Sequence, residues 1–186
     1  MCERPAVDGK THPGCKTPFS FDGATFVLVY QPPVSLLIRR LKYNFVRDLA
    51  EAVVSWTTDE LKKLRFPQDS VLIPIPLHRL RRNWRGFNQA EILGRKIAKE
   101  MGWNFRDDIL VRSQFRKPQT EVKEAKKRRE NVRGIFSISP NNPVTQLPSN
   151  LILFDDVWTT GATLKEATKV LKRNGAKFVH ALAIAR

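Results

Sequence analysis

Between residues 150 and 185 the chain passes from an apolar run through a helical segment to a second apolar run. This order constrains the fold more than any other feature. Leu151-Ile152-Leu153-Phe154 reads as a buried strand, 161–174 as a helix followed by Gly175, and 177–185 as a second strand. Two such strands joined by a helix must lie parallel in one sheet, with a right-handed crossover. The fold class is therefore α/β. Upstream, Val34, Leu37, Ile38, Leu41 and Phe45 follow helical spacing, and a second helix is expected over 49–64. Val71-Leu72-Ile73-Pro74-Ile75 is expected to be a buried strand ended by its prolines. A helix over 88–101 puts Ala90, Leu93, Ile97 and Met101 on one face and stops at Gly102. The segment 120–131 has helical spacing but is almost wholly charged, 134–138 is a short strand, and the proline- and asparagine-rich 139–150 is a surface loop.

A chain of 186 residues with 41% hydrophobic and 27% charged residues can bury one domain's core. Its longest apolar run, Val71 to Leu77, falls far short of the roughly 20 residues of a membrane span. Residues 1–16 hold no apolar stretch of the signal-peptide kind, and two cysteines cannot form a disulfide framework. A cytoplasmic protein that is not integral to a membrane is the expectation. The net charge of +15 is uneven: residues 79–133 carry 17 basic and 7 acidic side chains. Such a concentration suits a polyanion, either nucleic acid or a small phosphorylated ligand. A basic face that only keeps the protein soluble has the same composition, so the motifs on either side must decide.

The informative motif is Phe154-Asp155-Asp156-Val157-Trp158-Thr159-Thr160-Gly161-Ala162-Thr163, where an apolar strand runs into two carboxylates and a hydroxyl-rich turn opens a helix. In open α/β sheets, ligands bind at the carboxyl ends of strands. A helix start offers unpaired N–H groups to a phosphate, Thr159, Thr160 and Thr163 add hydroxyls, and Gly161 admits the ligand's oxygens close to the backbone. Carboxylates repel phosphate but suit a ribose diol or a Mg²⁺ ion. Together these describe a ribose-5-phosphate site. A purely structural strand-to-helix turn could use a threonine cap but has no need of paired acids. The stretch is neither a P-loop, lacking a lysine after the glycine, nor a dinucleotide-binding fingerprint, lacking its glycine spacing.

This stretch resembles the PRPP-binding motif of type I phosphoribosyltransferases. Leu37-Ile38-Arg39-Arg40-Leu41-Lys42-Tyr43, Pro74-Ile75-Pro76-Leu77-His78, Arg85-Gly86-Phe87-Asn88-Gln89-Ala90 and the region from Arg128 to Asn131 resemble the ComF family, competence proteins and their GntX-like relatives. The resemblance covers nearly the whole chain in order. It implies a type I phosphoribosyltransferase-like parallel sheet flanked by helices over 25–186, preceded by a short irregular remnant of a zinc module over 1–24. It implies that Asp155 and Asp156 hold the ribose of PRPP and its Mg²⁺, and that Thr159, Thr160, Gly161, Ala162 and Thr163 hold the 5-phosphate. A pyrophosphate loop would comprise Pro76, Leu77, His78 and Arg79. A mobile loop carrying Lys117, Gln119, Arg128 and Asn131 would close over the ligand and exclude water.

Family members commonly begin with a four-cysteine zinc module. Here Cys2, His12 and Cys15 supply three ligands at most, with Asp8 as a strained fourth, so this start is read as a metal-free remnant. Three functions follow. The chain could bind single-stranded DNA in uptake and natural transformation, through Arg82, Arg85, Lys126, Lys127 and Arg129 interleaved with Trp84, Phe87, Trp103, Phe105 and Phe115. A DNA-uptake or helicase partner at the inner membrane would then be its neighbour. Alternatively it could be an active phosphoribosyltransferase, passing the phosphoribosyl group of PRPP to an acceptor. In the third reading the PRPP site senses the ligand and modulates DNA handling.

Overall fold

The computed structural model describes residues 9–44, 47–113, 132–140 and 147–186, with the side chains of 42–48 outside the description. In chain order a 3-10 turn at Pro13–Cys15 leads to β1 (Gly23–Leu28), α1 (Val34–Asn44), α2 (Arg47–Lys62), β2 (Val71–Pro74), α3 (Arg79–Arg85) and α4 (Gln89–Met101). There follow β3 (Asn104–Phe105), β4 (Leu110–Arg112), β5 (Phe136–Ile138), β6 (Asn150–Val157), α5 (Ala162–Arg173) and β7 (Phe178–Ala185). Five strands form one sheet in the order β1-β7-β6-β2-β3, every pair parallel, and β4 and β5 form a separate antiparallel ribbon.

Alternation along the central strands explains the layering. Ile73, Leu153 and Ala181 feed one core with Leu164, Ala167 and Leu171 of α5 and Leu110 and Phe136 of the ribbon. Leu72, Ile152, Phe154 and Leu182 feed the other with apolar residues of α1, α2 and α4. A parallel sheet covered on both faces has near-continuous apolar strands, as β2, β6 and β7 do. Gly94 lets α4 lie close on the sheet: a Cβ there would stand 2.9 Å from Leu72 and 3.0 Å from Phe154.

The described part of the N-terminal segment is tied to the sheet. Thr11 N donates to Asp22 O at 2.8 Å, and the Asp22 carboxylate accepts from Val179 N at 2.9 Å and Lys172 Nζ at 2.6 Å. Burial pushes the Asp22 carboxyl upward, but those two donors outweigh it and hold the group below the ordinary carboxylate range.

The structure alters several sequence expectations. β1 begins at Gly23, inside the segment read as irregular. α2 starts at Arg47 rather than 49 and ends at Lys62. Arg79 opens a short helix, α3, instead of lying in a loop. β6 runs on through both aspartates to Val157, because β7 keeps pairing with it as far as Val157 opposite Ala185.

Candidate anion site at the carboxyl edge of the sheet

From β2 the chain crosses through α4 to β3 on one side, and from β6 it crosses through α5 to β7 on the other. The two helices lie on opposite faces. The carboxyl edge between β2 and β6 is thus a topological switch point, where the departing chains diverge and leave a crevice. β2 stops at Pro74 opposite Phe154, and Ile75 N donates to Phe154 O at 2.8 Å before the chains part. Beyond that point β6 continues with Asp155 and Asp156, and residues 75–78 lead from β2 to α3.

Consecutive residues of a strand leave opposite faces. On that alternation Asp155 turns toward the face carrying the β4–β5 ribbon, where Arg112 lies. Asp156 is 9% exposed, and because Val157 packs on the same core as Phe154 while Trp158 packs on the other, strict alternation ends at this pair. Asp155 Oδ1 also accepts from Asp156 N at 2.9 Å.

The turn that follows is shaped by Trp158. This ring is 4% exposed and meets Phe21 and Phe26 edge-on at 5.7 and 4.7 Å, so it is a core residue and not a stacking surface. Gly161 has φ +68°, and a Cβ there would lie 2.2 Å from the Trp158 ring. Glycine is required by both conformation and space. The turn then delivers exposed Thr159 and half-buried Thr160 and Thr163 around the start of α5, with Ala162 N donating to Thr160 Oγ1 at 3.4 Å.

Across the crevice, Pro76, Leu77 and His78 are half-buried and Arg79 is exposed. His78 caps α3, its Nδ1 accepting from Leu80 N at 3.2 Å. Asn88 is 6% exposed and holds two elements at once: it accepts from Ala90 N at 3.2 Å as the cap of α4 and donates to Ile75 O at 3.0 Å. With Gly86 ending α3 at φ +81°, the Arg85-Gly86-Phe87-Asn88-Gln89 run is the bracket that fixes the loop. Arg82 pairs with Glu91 at 3.3 Å, and Arg85 Nη1 donates to Gln89 Oε1 at 2.8 Å.

Sequence reasoning missed Arg81 and Arg112. Arg112 closes β4, with its guanidinium 5.9 Å from the Phe136 ring centre and a buried Nε that has no acceptor. Burial pushes its pKa down, nearby Arg81 pushes the same way, and Asp155 opposes them. A half-buried guanidinium whose Nε is buried with no acceptor thus stands near both Arg81 and Asp155. The available signal was an arginine ending the apolar run Ile109-Leu110-Val111 just ahead of the expected mobile loop.

Lys117, Gln119, Lys126, Lys127, Arg128, Arg129 and Asn131 lie outside the described residues. Their flanks join the ribbon beside Arg112, where Ser113 N donates to Ile135 O at 2.9 Å. Of the aromatic side chains expected to meet DNA, Trp84 is 77% exposed, whereas Trp103 is 7% exposed in the core and Phe105 lies under Arg95 at 4.3 Å. Phe87 is half-buried, and Phe115 is outside the described residues. Cys2 and Asp8 are outside them too. Cys15 N donates to His12 O at 2.9 Å, and no group of three or more metal-ligating side chains occurs among the described residues. Among them, no helix is long and apolar enough to cross a membrane.

No protein-family model matches the chain. It is similar to competence protein F of Haemophilus influenzae, 29% identical over 172 residues that cover 90% of this chain and 74% of that protein. The DNA utilization protein YhgH of Salmonella typhi is 31% identical over 162 residues, covering 84% of this chain and 69% of the relative. Competence protein ComFC of Streptococcus pneumoniae is 28% identical over 160 residues, covering 86% and 66%. Among solved structures, an adenine phosphoribosyltransferase of Trypanosoma brucei shares 16% identity at a TM-score of 0.44, covering 76% of this chain and 54% of that one. That of Leishmania tarentolae shares 13% at 0.42, covering 77% and 73%. Those two likenesses are too loose to carry chemistry across, but the sequence relationship spans most of both chains, and the chain belongs to the ComF family of competence protein F, ComFC and YhgH.

Proposed function

We propose that this protein acts in the uptake and use of DNA, as the names of its relatives say of them, and that it binds PRPP in the carboxyl-edge crevice. The observation that carries the PRPP reading is the convergence of three chemistries at one switch point: a helix start with threonine hydroxyls, a carboxylate pair, and Arg112, whose buried Nε has no acceptor, with Arg81 near it. The 5-phosphate would sit on the backbone N–H groups and hydroxyls of 159–163. The ribose would lie over the end of β6, beside Asp155 and Asp156. The pyrophosphate would meet residues 76–79, Arg81 and Arg112, whose forked donors match a dense anion.

The donor set fits Mg²⁺ as well. Two carboxylates without a third neighbour among the described residues do not make an all-protein cage, and Mg²⁺ commonly takes one or two carboxylates, waters and substrate phosphates. Bound there, Mg²⁺ would neutralise pyrophosphate charge. The protein's own part is to orient the ribose through Asp155 and Asp156 and to stabilise negative charge through Arg81 and Arg112. The same placement suits phosphoribosyl transfer, in which an acceptor lone pair bonds to the anomeric carbon while the bond to pyrophosphate breaks and its electrons leave with that group.

For DNA, the supporting feature is α3, where exposed Trp84 and Leu80 stand one turn apart between Arg81, Arg82 and Arg85. An open indole among guanidinium groups stacks an unpaired base without reading its identity. Handling incoming single strands puts the protein in the cytoplasm, beside an uptake or helicase partner at the inner membrane. Because α3 is capped by His78 of the pyrophosphate loop, the reading makes PRPP and DNA affinities interdependent. Anisotropy of a labelled oligothymidylate, measured with and without PRPP and Mg²⁺, tests this. Binding that weakens steeply with salt and shifts with PRPP is expected; absent or salt-insensitive binding sinks the DNA reading, and a PRPP-independent affinity sinks the coupling.

A further inference from the structure

At the opposite, amino-terminal end of the sheet a groove of about 690 Å³ lies between residues 10–16, the starts of β1 and β7, and the chain that leaves α2. We propose that this groove holds an unpaired nucleotide of single-stranded nucleic acid, with the base against Phe178 and the phosphates among Lys10, Lys63 and Arg65. The inference rests on the DNA-handling reading and gives it a second contact region, remote from the crevice.

The rings come first. Phe178 and His180 point to one face of β7, with ring planes 25° apart and centroids 6.4 Å apart, and Phe66 stands at 86° to His180 at 5.1 Å. His180 is 5% exposed and shares a 2.9 Å hydrogen bond with Thr25, so it forms the rear of the recess, and half-exposed Phe178 forms the accessible platform. Glycine at position 23 lets His180 and the backbone of residue 9 pack closely against the start of β1, which forms the rear wall of the recess. A Cβ there would stand 2.6 Å from His180 Nδ1 and 2.8 Å from Gly9 O, and the backbone bridge between Lys10 and Gly23 would be pushed away.

The charges come second. Lys10, Lys16, Lys63 and Arg65 line the groove against a single acid, Asp22, whose carboxylate is held by Val179 N and Lys172. Lys63 pairs with Glu60, and Lys16 with Asp22 at 3.3 Å. The Lys63–Glu60 pair is exposed on both sides, and pairs of this kind are worth about 0–1 kcal/mol and exchange readily for a phosphate. Arg65 is exposed and makes no ion pair with a described residue. His180, held neutral by burial with a pKa of about 4, leaves the floor uncharged at neutral pH. Cations around a recessed ring grip single strands without sequence preference, and a paired base cannot enter such a recess. The volume falls within the range of about 300–1,000 Å³ usual for small-ligand sites, which is room for one nucleotide.

The test is fluorescence anisotropy of a labelled fifteen-nucleotide oligothymidylate and of a duplex of equal length, on the full chain and on Lys63→Gln/Arg65→Gln and Phe178→Ala. The double variant, confined to exposed side chains, is expected to bind the single strand about tenfold or more weakly and to lower the log–log salt slope by about 1.4, two phosphates at about 0.7 each. Phe178→Ala is expected to lose about fivefold or more at unchanged salt slope, as removal of a stacking ring does. PRPP titration of the double variant should match wild type, since the eight residues of β7 separate the two ends by about 26 Å. Wild-type binding retained by the double variant overturns the groove and leaves the DNA reading intact. Equal losses on single strand and duplex reduce the groove to a general basic surface and overturn the nucleotide recess. Failure of wild type to bind the single strand overturns both.

Discussion

Gly161→Ala is the substitution with the clearest structural consequence. Gly161 sits at φ +68°, where an alanine costs about 1–2 kcal/mol, and its Cβ would lie 2.2 to 2.6 Å from three atoms of the Trp158 ring. That ring cannot retreat, because it is buried against Phe21 and Phe26. Displacing it adds the cost of overpacking a core, about 1–3 kcal/mol. The expected total is about 2–5 kcal/mol lost in urea unfolding, with loss of PRPP binding because the 159–163 turn must move. A double-mutant cycle separates the two contributions. Trp158→Ala alone should cost about 3–5 kcal/mol. In that background Gly161→Ala should cost only the conformational part, leaving a coupling of about 1–3 kcal/mol between the two sites. A Gly161→Ala variant within about 0.5 kcal/mol of wild type, or a cycle with no coupling, would refute the argument that Trp158 dictates the glycine.

Other expectations are as specific. Arg112→Gln removes a charged donor facing the proposed pyrophosphate and should weaken PRPP by about 10–100-fold in calorimetry, corresponding to about 1.5–3 kcal/mol; unchanged affinity would remove Arg112 from the site. Asn88→Ala loses the α4 cap and leaves the Ile75 carbonyl without its buried donor, costing about 1–3 kcal/mol in chemical denaturation; a loss below about 0.5 kcal/mol would show that the loop does not depend on this bracket. His180 is neutral in the fold, its pKa depressed by burial to about 4 against Asp22 acting the other way. The unfolded chain therefore binds the extra proton between about pH 6.5 and 4, so this contribution is present above that window and is lost as pH falls through it, about 3 kcal/mol in all. His180→Gln should flatten that part of the stability–pH curve; an unaltered slope would mean that His180 is not its source.

The readable parts of the sequence were those where local pattern and tertiary role agree. β6, α5 and β7 are buried or amphipathic along their whole lengths, so their apolar spacing and the Thr159-Thr160-Gly161 turn mark them. Asn88 and Gly102 bracket α4 with the cap residues its period requires. β1 escaped notice because it is an edge strand, half-buried after Gly23 without clean alternation, and its partner β7 lies more than 150 residues along the chain. β3 and β4 are too short for any period to register. α3 buries no residue, so it leaves no apolar stripe. At the site, the threonine turn and the acid pair were legible as chemistry. The continuation of β6 through Asp155 and Asp156 was not, because it depends on how far β7 continues to pair. Arg112 is one of 17 basic residues between 79 and 133 and is distinguished only by its burial against Phe136 and its neighbours Arg81 and Asp155.

The proposed PRPP site lies in the crevice between β2 and β6. Calorimetric titration of PRPP with Mg²⁺ into wild type and into Asp155→Asn/Asp156→Asn tests it most directly, with circular dichroism confirming that both are folded. Saturable one-site binding by wild type that the folded double variant lacks is the expected result. No heat of binding in wild type, or equal affinity in the two proteins, would contradict it.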